Sequence, residues 1–339
     1  MPLAKRRCWP LRATFTEIML QPTARRILLL GATGTIGNAT AQALLQRGFD
    51  VVCVTRREAD LPKGIERRIS DVTDVDTLRR DLFEDVPYDA VISCLASRTG
   101  APADAWAVDY GANLNALTAA VEAGARHFIL LSAICVQRPK LGFQQAKLAF
   151  ENKLKQSGLR YSIVRPTAFF KSLSGQIARI EAGKSYLLFG DGALTACKPL
   201  SDGDLAAYLV ECIDNDARWN SILPIGGPGP ALTPRDMGEK LFELAGREPK
   251  FRKVPVAMID LIIGGLNLAG RLSAPLAAKA ELARIGRYYA TESMLVWDAS
   301  AQRYDAAKTP ETGEEALFGY YEQVLKGQTD VDLADHAVF

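Results

Sequence analysis

From residue 26 to about residue 165, short apolar runs alternate with amphipathic stretches. Arg26-Ile-Leu-Leu-Leu30 stops at Gly31, and a helical periodicity from Thr35 to Arg47 ends at Gly48. This predicts a strand, a tight turn and a helix. Asp50-Val-Val-Cys-Val-Thr55 predicts a second strand, and Arg67 to Ser70 a third. A helix around Asp74 to Phe83 precedes a fourth strand, Ala90-Val-Ile-Ser-Cys94. A long helix, about Ala103 to Ala123, leads to a fifth strand, Phe128-Ile-Leu-Leu-Ser132. A helix from about Phe143 to Gln156 leads to the sixth, Tyr161-Ser-Ile-Val-Arg165. Apolar strands alternating with amphipathic helices predict an α/β fold with a doubly wound parallel sheet. Past Pro166 the rhythm loosens. Phe189-Gly-Asp-Gly192 and Gly226-Gly-Pro-Gly229 predict turns, and Thr233-Pro234 predicts an N-cap with proline at the first helical position. Further helices are expected near 255–271 and 275–284.

The first strand–helix turn reads Gly31-Ala-Thr-Gly34-Thr-Ile-Gly37. Glycines there let backbone approach a pyrophosphate, while the helix N-terminus offers free N–H groups and positive potential. Gly31, Thr33, Gly34, Thr35, Ile36 and Gly37 are therefore candidate cofactor residues in a Rossmann-type domain. The second strand ends in Thr55-Arg56-Arg57, where an NAD-binding chain usually carries Asp or Glu. Two guanidinium groups suit a 2′-phosphate, so the expected cofactor is NADPH. Asp71 is a candidate for the adenine edge or for a helix N-cap. Leu95 and Ala96, after the fourth strand, and Pro166, after the sixth, are expected to border the cofactor. The expected organisation is a basic, disordered extension over 1–25, an NADPH-binding Rossmann domain over 26–170 and a tail over 327–339. Between them, 171–326 form a smaller, discontinuous substrate-binding part, some of it returning to the Rossmann core.

Composition narrows the chemistry. The 339 residues are 48% hydrophobic and 24% charged, with ample core for one large or two coupled domains. A net charge of +2 provides no field that argues for nucleic acid. Six cysteines without a C-x-x-C pair read as buried thiols, and with only His127 and His336 a protein metal site is not expected. Lys5, Arg6, Arg7, Arg12, Arg25 and Arg26 face a single acid, Glu17, in the first 26 residues. That is no secretory signal, which needs an apolar region of about 7–15 residues. An organelle transit peptide and an over-extended start, with Met19 as the alternative initiator, are both open. The run from Val256 to Leu272 contains Asp260 and Asn267 and falls short of the ~20 residues of a span. It reads as a buried or interface helix, with peripheral membrane contact left open.

Phe143-Gln-Gln-Ala-Lys147 stands where a short-chain dehydrogenase carries Tyr-x-x-x-Lys. A tyrosine there exchanges a proton with a carbonyl or alcohol oxygen, and Phe143 cannot. Lys147 is the principal catalytic candidate, with Ser132, at the end of the fifth strand, either facing substrate or simply packed. The chain resembles the NADPH-dependent divinyl chlorophyllide a 8-vinyl-reductases, atypical short-chain dehydrogenases of chlorophyll and bacteriochlorophyll synthesis. The matching stretches include Ser93-Cys-Leu-Ala-Ser-Arg-Thr-Gly100, Leu131-Ser-Ala-Ile-Cys-Val-Gln137, Val164-Arg-Pro-Thr-Ala-Phe-Phe-Lys-Ser172, Ala196-Cys-Lys-Pro199 and Ile285-Gly-Arg-Tyr-Tyr-Ala-Thr-Glu-Ser-Met294. They lie within residues 26 to 326.

The resemblance implies reduction of the C8 vinyl group of a magnesium-containing divinyl chlorophyllide to ethyl. Such an acceptor forms no alkoxide and needs no phenol to stabilise one. Lys147, Ser132, Tyr288, Tyr289 and water are open as proton donors. A flat apolar tetrapyrrole with an edge carboxylate calls for Phe169, Phe170, Phe189, Tyr288 and Tyr289 as walls. Arg98, Lys171, Lys198 and Arg287 are the candidate rim cations. The magnesium belongs to the substrate. The expected setting is the cytoplasm of a photosynthetic bacterium, with a chloroplast as the alternative. Competing readings are an isoflavone-reductase-like enzyme and a non-catalytic NADP(H)-sensing protein.

Overall fold

The computed structural model describes residues 25–83, 87–270 and 273–329. The expected N-terminal extension, apart from Arg25, and most of the tail fall outside them. The central sheet contains β1 (Arg26–Leu30), β2 (Asp50–Thr55), β3 (Glu66–Ile69), β4 (Ala90–Ser93), β5 (His127–Leu131) and β6 (Arg160–Pro166). After a short β7 (Tyr186–Phe189), β8 (Ser221–Ile225) returns to its edge. The order is β3-β2-β1-β4-β5-β6-β8, and every pairing is parallel. This is the Rossmann order with one added strand.

Alternation along each strand divides the core between the two sheet faces. Leu28 and Leu30 of β1 join Val52, Val91 and Phe128 on one side. Ile27 and Leu29 join Val51, Ile92 and Val164 on the other. The second face is covered by α1 (Thr35–Gln46). On the first lie α2 (Val75–Leu78) and, past α3 (Pro102–Ala105), whose Ala105 joins a separate cluster, α4 (Asn113–Glu122) and α5 (Gly142–Lys155). Two π-helical stretches interrupt this set. Arg79–Phe83 continues α2, and Trp106–Ala112 joins α3 to α4 in the segment expected to be one long α-helix.

The later elements are α6 (Ile177–Glu181), α7 (Asp202–Glu211), α8 (Pro234–Leu244), β9 (Phe251–Val254), α9 (Val256–Gly270) and α10 (Ala274–Thr291). The hairpin β10 (Val296–Asp298) and β11 (Arg303–Asp305) and then α11 (Leu317–Leu325) follow. Helix α7 packs on α1, whereas β7 pairs with β9 beyond the carboxyl edge of the main sheet. A third core cluster joins Phe143 and Ile134 to Tyr186, Leu188, Met237, Ile285 and Tyr321. It fixes the C-terminal elements above the sheet's carboxyl edge. Of the two roles expected for α9, buried or interface helix, burial does not hold: none of its residues is buried, and Leu261 is 78% exposed. It rests on α10 and presents its other side outward.

Candidate active site

The nucleotide turn is shaped by close approach. Gly31 has φ +79°, and a Cβ on it would meet the Cys94 carbonyl oxygen at 2.7 Å. A Cβ on Gly37 would lie 2.0 Å from the Gly31 oxygen. Neither position admits a side chain without moving backbone. Thr33, Gly34 and Thr35 are exposed, while Ile36 is buried beneath them. Gly34 caps α1 without a side-chain bond, and the helix has no acid in its first turn. Its first N–H groups remain open to an anion. The Lys171 ammonium donates to Thr35 Oγ1 at 3.2 Å and adds positive charge there.

Beyond β2, Arg56 and Arg57 are exposed and form no ion pair among the described residues. Nearby Asp71 accepts bonds from the Thr73 hydroxyl at 2.7 Å and the Thr73 N–H at 2.9 Å. Those bonds hold its carboxyl below the usual range, with Arg56 contributing in the same direction. Of the two roles open for Asp71, the helix cap belongs instead to Asp74, which accepts from Asp76 N–H. The turn's exposed N–H groups and the two unpaired guanidiniums fit a dinucleotide carrying a 2′-phosphate.

A cleft of about 470 Å³ opens where β4, β5 and β6 end. Its floor includes Leu95, Ala96, Ser132, Cys135 and Pro166, with Phe143 and Lys147 from α5. Phe169, Phe189, Met237, Ile285 and Tyr289 close the far side. The Lys147 ammonium stands 2.8 Å from Asp109 Oδ1, and the Asp109 side chain is 1% exposed. Asp109 comes from the π-helical stretch, which turns it into the cleft. Burial pushes the Cys94 thiol up to about 12 and also raises that of Cys135. Neither is a thiolate nucleophile at neutral pH.

A second buried network orients Ser132. Its hydroxyl donates to Glu151 Oε1 at 2.6 Å, and Arg165 Nε donates to the same oxygen at 3.0 Å. Arg165 Nη2 also binds Glu151 Oε2. The serine proton is thereby committed inside the protein, although Ser132 lines the cleft.

The comparisons with known proteins place the chain in a family. A family model described as NAD(P)H-binding matches residues 31–216. Divinyl chlorophyllide a 8-vinyl-reductase, chloroplastic, of Cucumis sativus is 46% identical over 337 residues, covering 94% of this chain and 80% of its own. The protein of the same name from Oryza sativa subsp. indica is 44% identical over 367 residues, covering 100% and 91%. The chain belongs to the divinyl chlorophyllide a 8-vinyl-reductase family. In fold it is also similar to the NADPH-dependent quinone oxidoreductase of Escherichia coli solved with NADPH. That similarity has a TM-score of 0.61 at 19% identity and covers 88% of this chain and 99% of the other. The names of the plant relatives correct one expectation: they are chloroplastic proteins, which overturns the assignment to a bacterial cytoplasm.

Several expected substrate contacts lie elsewhere. Tyr288 is buried behind the cleft, donating its hydroxyl to the Cys135 carbonyl at 3.0 Å. Phe170 is a core residue against Tyr320, with ring centroids 5.5 Å apart. Lys198 is buried and ion-paired to Glu311, because the bridge between Gly226 and Glu311 brings that acid beneath it. Lys171 reaches the nucleotide turn instead of the substrate rim. Arg287 pairs with Asp260 of α9. Arg98, Phe169, Phe189 and Tyr289 do line the cleft. Sequence reading missed Asp109 and Glu151. Glu151 had a signal, since Phe143, Lys147 and Glu151 recur every four residues along one helix. Asp109 had none, because its partner is 38 positions away.

Proposed function

We propose that this chain uses NADPH to reduce the C8 vinyl group of divinyl chlorophyllide a to ethyl. The observation that carries the reading is Lys147 held in the cleft beside Phe143, within a chain 46% identical to a reductase of that name. When bound, NADPH supplies the hydride. The open N–H groups of α1 and Lys171 hold its pyrophosphate, Arg56 and Arg57 grip the 2′-phosphate, and Leu95, Ala96 and Pro166 border the rest. Lys147, anchored by Asp109, orients the nicotinamide ribose and places positive charge beside the reacting carbon. That charge favours the anionic character that develops as the vinyl group is reduced. The macrocycle lies against Phe169, Phe189 and Tyr289, with Arg98 at its edge carboxylate. The units 26–170 and 171–326 then divide cofactor from substrate binding, with β8 returning to the first. NADPH oxidation that depends on added divinyl pigment tests the reading, and oxidation indifferent to pigment contradicts it.

The setting proposed is the plastid, with the basic N-terminal residues as a targeting segment. Peripheral membrane contact falls to α9. Met258, Leu261, Ile262 and Leu268 form an exposed stripe at helical spacing, while Arg287 and Arg284 of α10 bind Asp260 and Asn267. Residues 250–289 hold seven Lys and Arg against two acids, which suits an anionic bilayer surface. Among the described residues no helix is long and apolar enough to cross a membrane.

A further inference from the structure

Reduction of a vinyl group requires a proton as well as a hydride, and the position that would supply it in a Tyr-x-x-x-Lys enzyme is Phe143. The other groups around the cleft are largely committed. Ser132 gives its proton to Glu151, and Tyr288 gives its own to the Cys135 carbonyl. Glu292 is an ionised carboxylate bound by Lys140, Arg138 and Tyr304. Asp109 is the counter-charge of Lys147, and burial favours the neutral thiols of Cys94 and Cys135.

Tyr289 is committed only to a weak acceptor, the Cys135 thiol. It lines the cleft and is 41% exposed, while the neighbouring Tyr288 is 4% exposed. The two rings meet edge to face with centroids 5.7 Å apart, which anchors one against the other. Helix α10 passes directly over the vacant tyrosine position. A Cβ on Gly100 would lie 2.8 Å from Ile285 Cδ1 and 3.9 Å from Phe143 Cδ1, so Ile285 and Phe143 flank the same glycine. Tyr289 follows Ile285 by one helical turn on the same face. Burial, followed by the neighbouring Cys135, raises the Tyr289 pKa well above the usual phenol range and keeps the proton on its oxygen, and the Cys135 thiol also feels the Lys147 charge. A phenol from α10 thus lines the same cleft as Phe143 and Lys147.

We propose that Tyr289 is the catalytic acid that protonates the inner vinyl carbon. The assignment rests on the vinyl-reductase reading above. Hydride from NADPH forms one C–H bond at the terminal vinyl carbon and leaves an electron pair delocalised into the macrocycle. The Tyr289 O–H bond breaks, that pair forms the second C–H bond, and the phenolate recovers a proton from water at the exposed mouth of the cleft. Atoms and charge balance with no further reactant.

The test compares the full chain with Tyr289→Phe and Tyr288→Phe, using divinyl chlorophyllide a and NADPH. Tyr289→Phe should lower kcat at least 100-fold, enlarge the solvent deuterium isotope effect on kcat and leave pigment affinity, from fluorescence titration, within about threefold. Tyr288→Phe should retain kcat within about threefold. Tyr289→Phe with near wild-type kcat and an unchanged isotope effect overturns the assignment while leaving the vinyl-reductase reading intact. A wild-type chain that fails to reduce the pigment overturns both.

Discussion

Replacing Lys147 by Met separates two functions of one ammonium group. Asp109 is 1% exposed at its side chain and has Lys147 at 2.8 Å. Removing the cation leaves a buried carboxylate uncompensated, which typically costs about 3–5 kcal/mol. Lys147→Met should therefore unfold at markedly lower urea as well as lose vinyl reduction. The informative variant is the double one, Lys147→Met with Asp109→Asn. It removes both charges and keeps the side-chain volumes close to the originals, so most of the lost stability should return. Activity should not return. Loss of a cation that orients the ribose and stabilises developing charge should keep kcat down at least 100-fold, about 2.7 kcal/mol of barrier. The assay pairs urea denaturation, followed by tryptophan fluorescence, with NADPH-dependent pigment reduction on the same preparations. A double variant that recovers stability and also reduces pigment within tenfold of wild type would show Lys147 to be structural, refuting its catalytic role.

Three other perturbations probe separate parts of the account. Arg56→Ala with Arg57→Ala should raise KM for NADPH roughly 10- to 100-fold, the range expected for charge-assisted bonds of about 1.5–3 kcal/mol, with KM for NADH little changed. Equal effects on both cofactors would remove the 2′-phosphate assignment. Burial, followed by the charge of Arg160, lowers the His127 pKa from 6.5 to about 4. The folded state thus favours neutral imidazole, and its contribution is intact above pH 6.5 and lost as pH falls towards 4. The full loss is about 3 kcal/mol, and in urea titrations between pH 7.5 and 4 His127→Phe should show a shallower decline than wild type. An identical decline would exclude His127 as a source of acid sensitivity. Leu261→Glu with Leu268→Glu should abolish co-sedimentation with anionic vesicles while preserving reduction of detergent-dispersed pigment. Unchanged co-sedimentation would reject α9 as the contact surface.

The parallel sheet was legible because its signals are local. Each buried strand is a continuous apolar run, and Gly31 and Gly37 mark a turn that backbone sterics dictate. Lys147 and Phe143 were legible for the same reason, standing four residues apart on one helix. Asp109 was not, because its orientation depends on a π-helical stretch that helical periodicity does not announce. Tyr288 and Tyr289 show the same limit at finer scale. Adjacent helical residues point about 100° apart, and only the packing of α10 against the third core cluster decides which reaches the cleft. Lys198 was expected as a rim cation for the substrate's carboxylate, since lysine is rarely buried, yet Glu311 arrives from more than a hundred positions away to pair with it. The apolar sequence of α9 suggested a buried or an interface helix. Hydrophobicity alone does not distinguish a core face from an outward one, and the outward stripe emerges only once α10 is seen on the other side.

The most direct test of the central claim is to incubate the purified chain with divinyl chlorophyllide a and NADPH and follow the Soret band. Conversion of the conjugated vinyl group to ethyl shortens the π-system, so the band should move to shorter wavelength in proportion to NADPH consumed, and much more slowly with NADH. No shift with either cofactor would contradict the assignment.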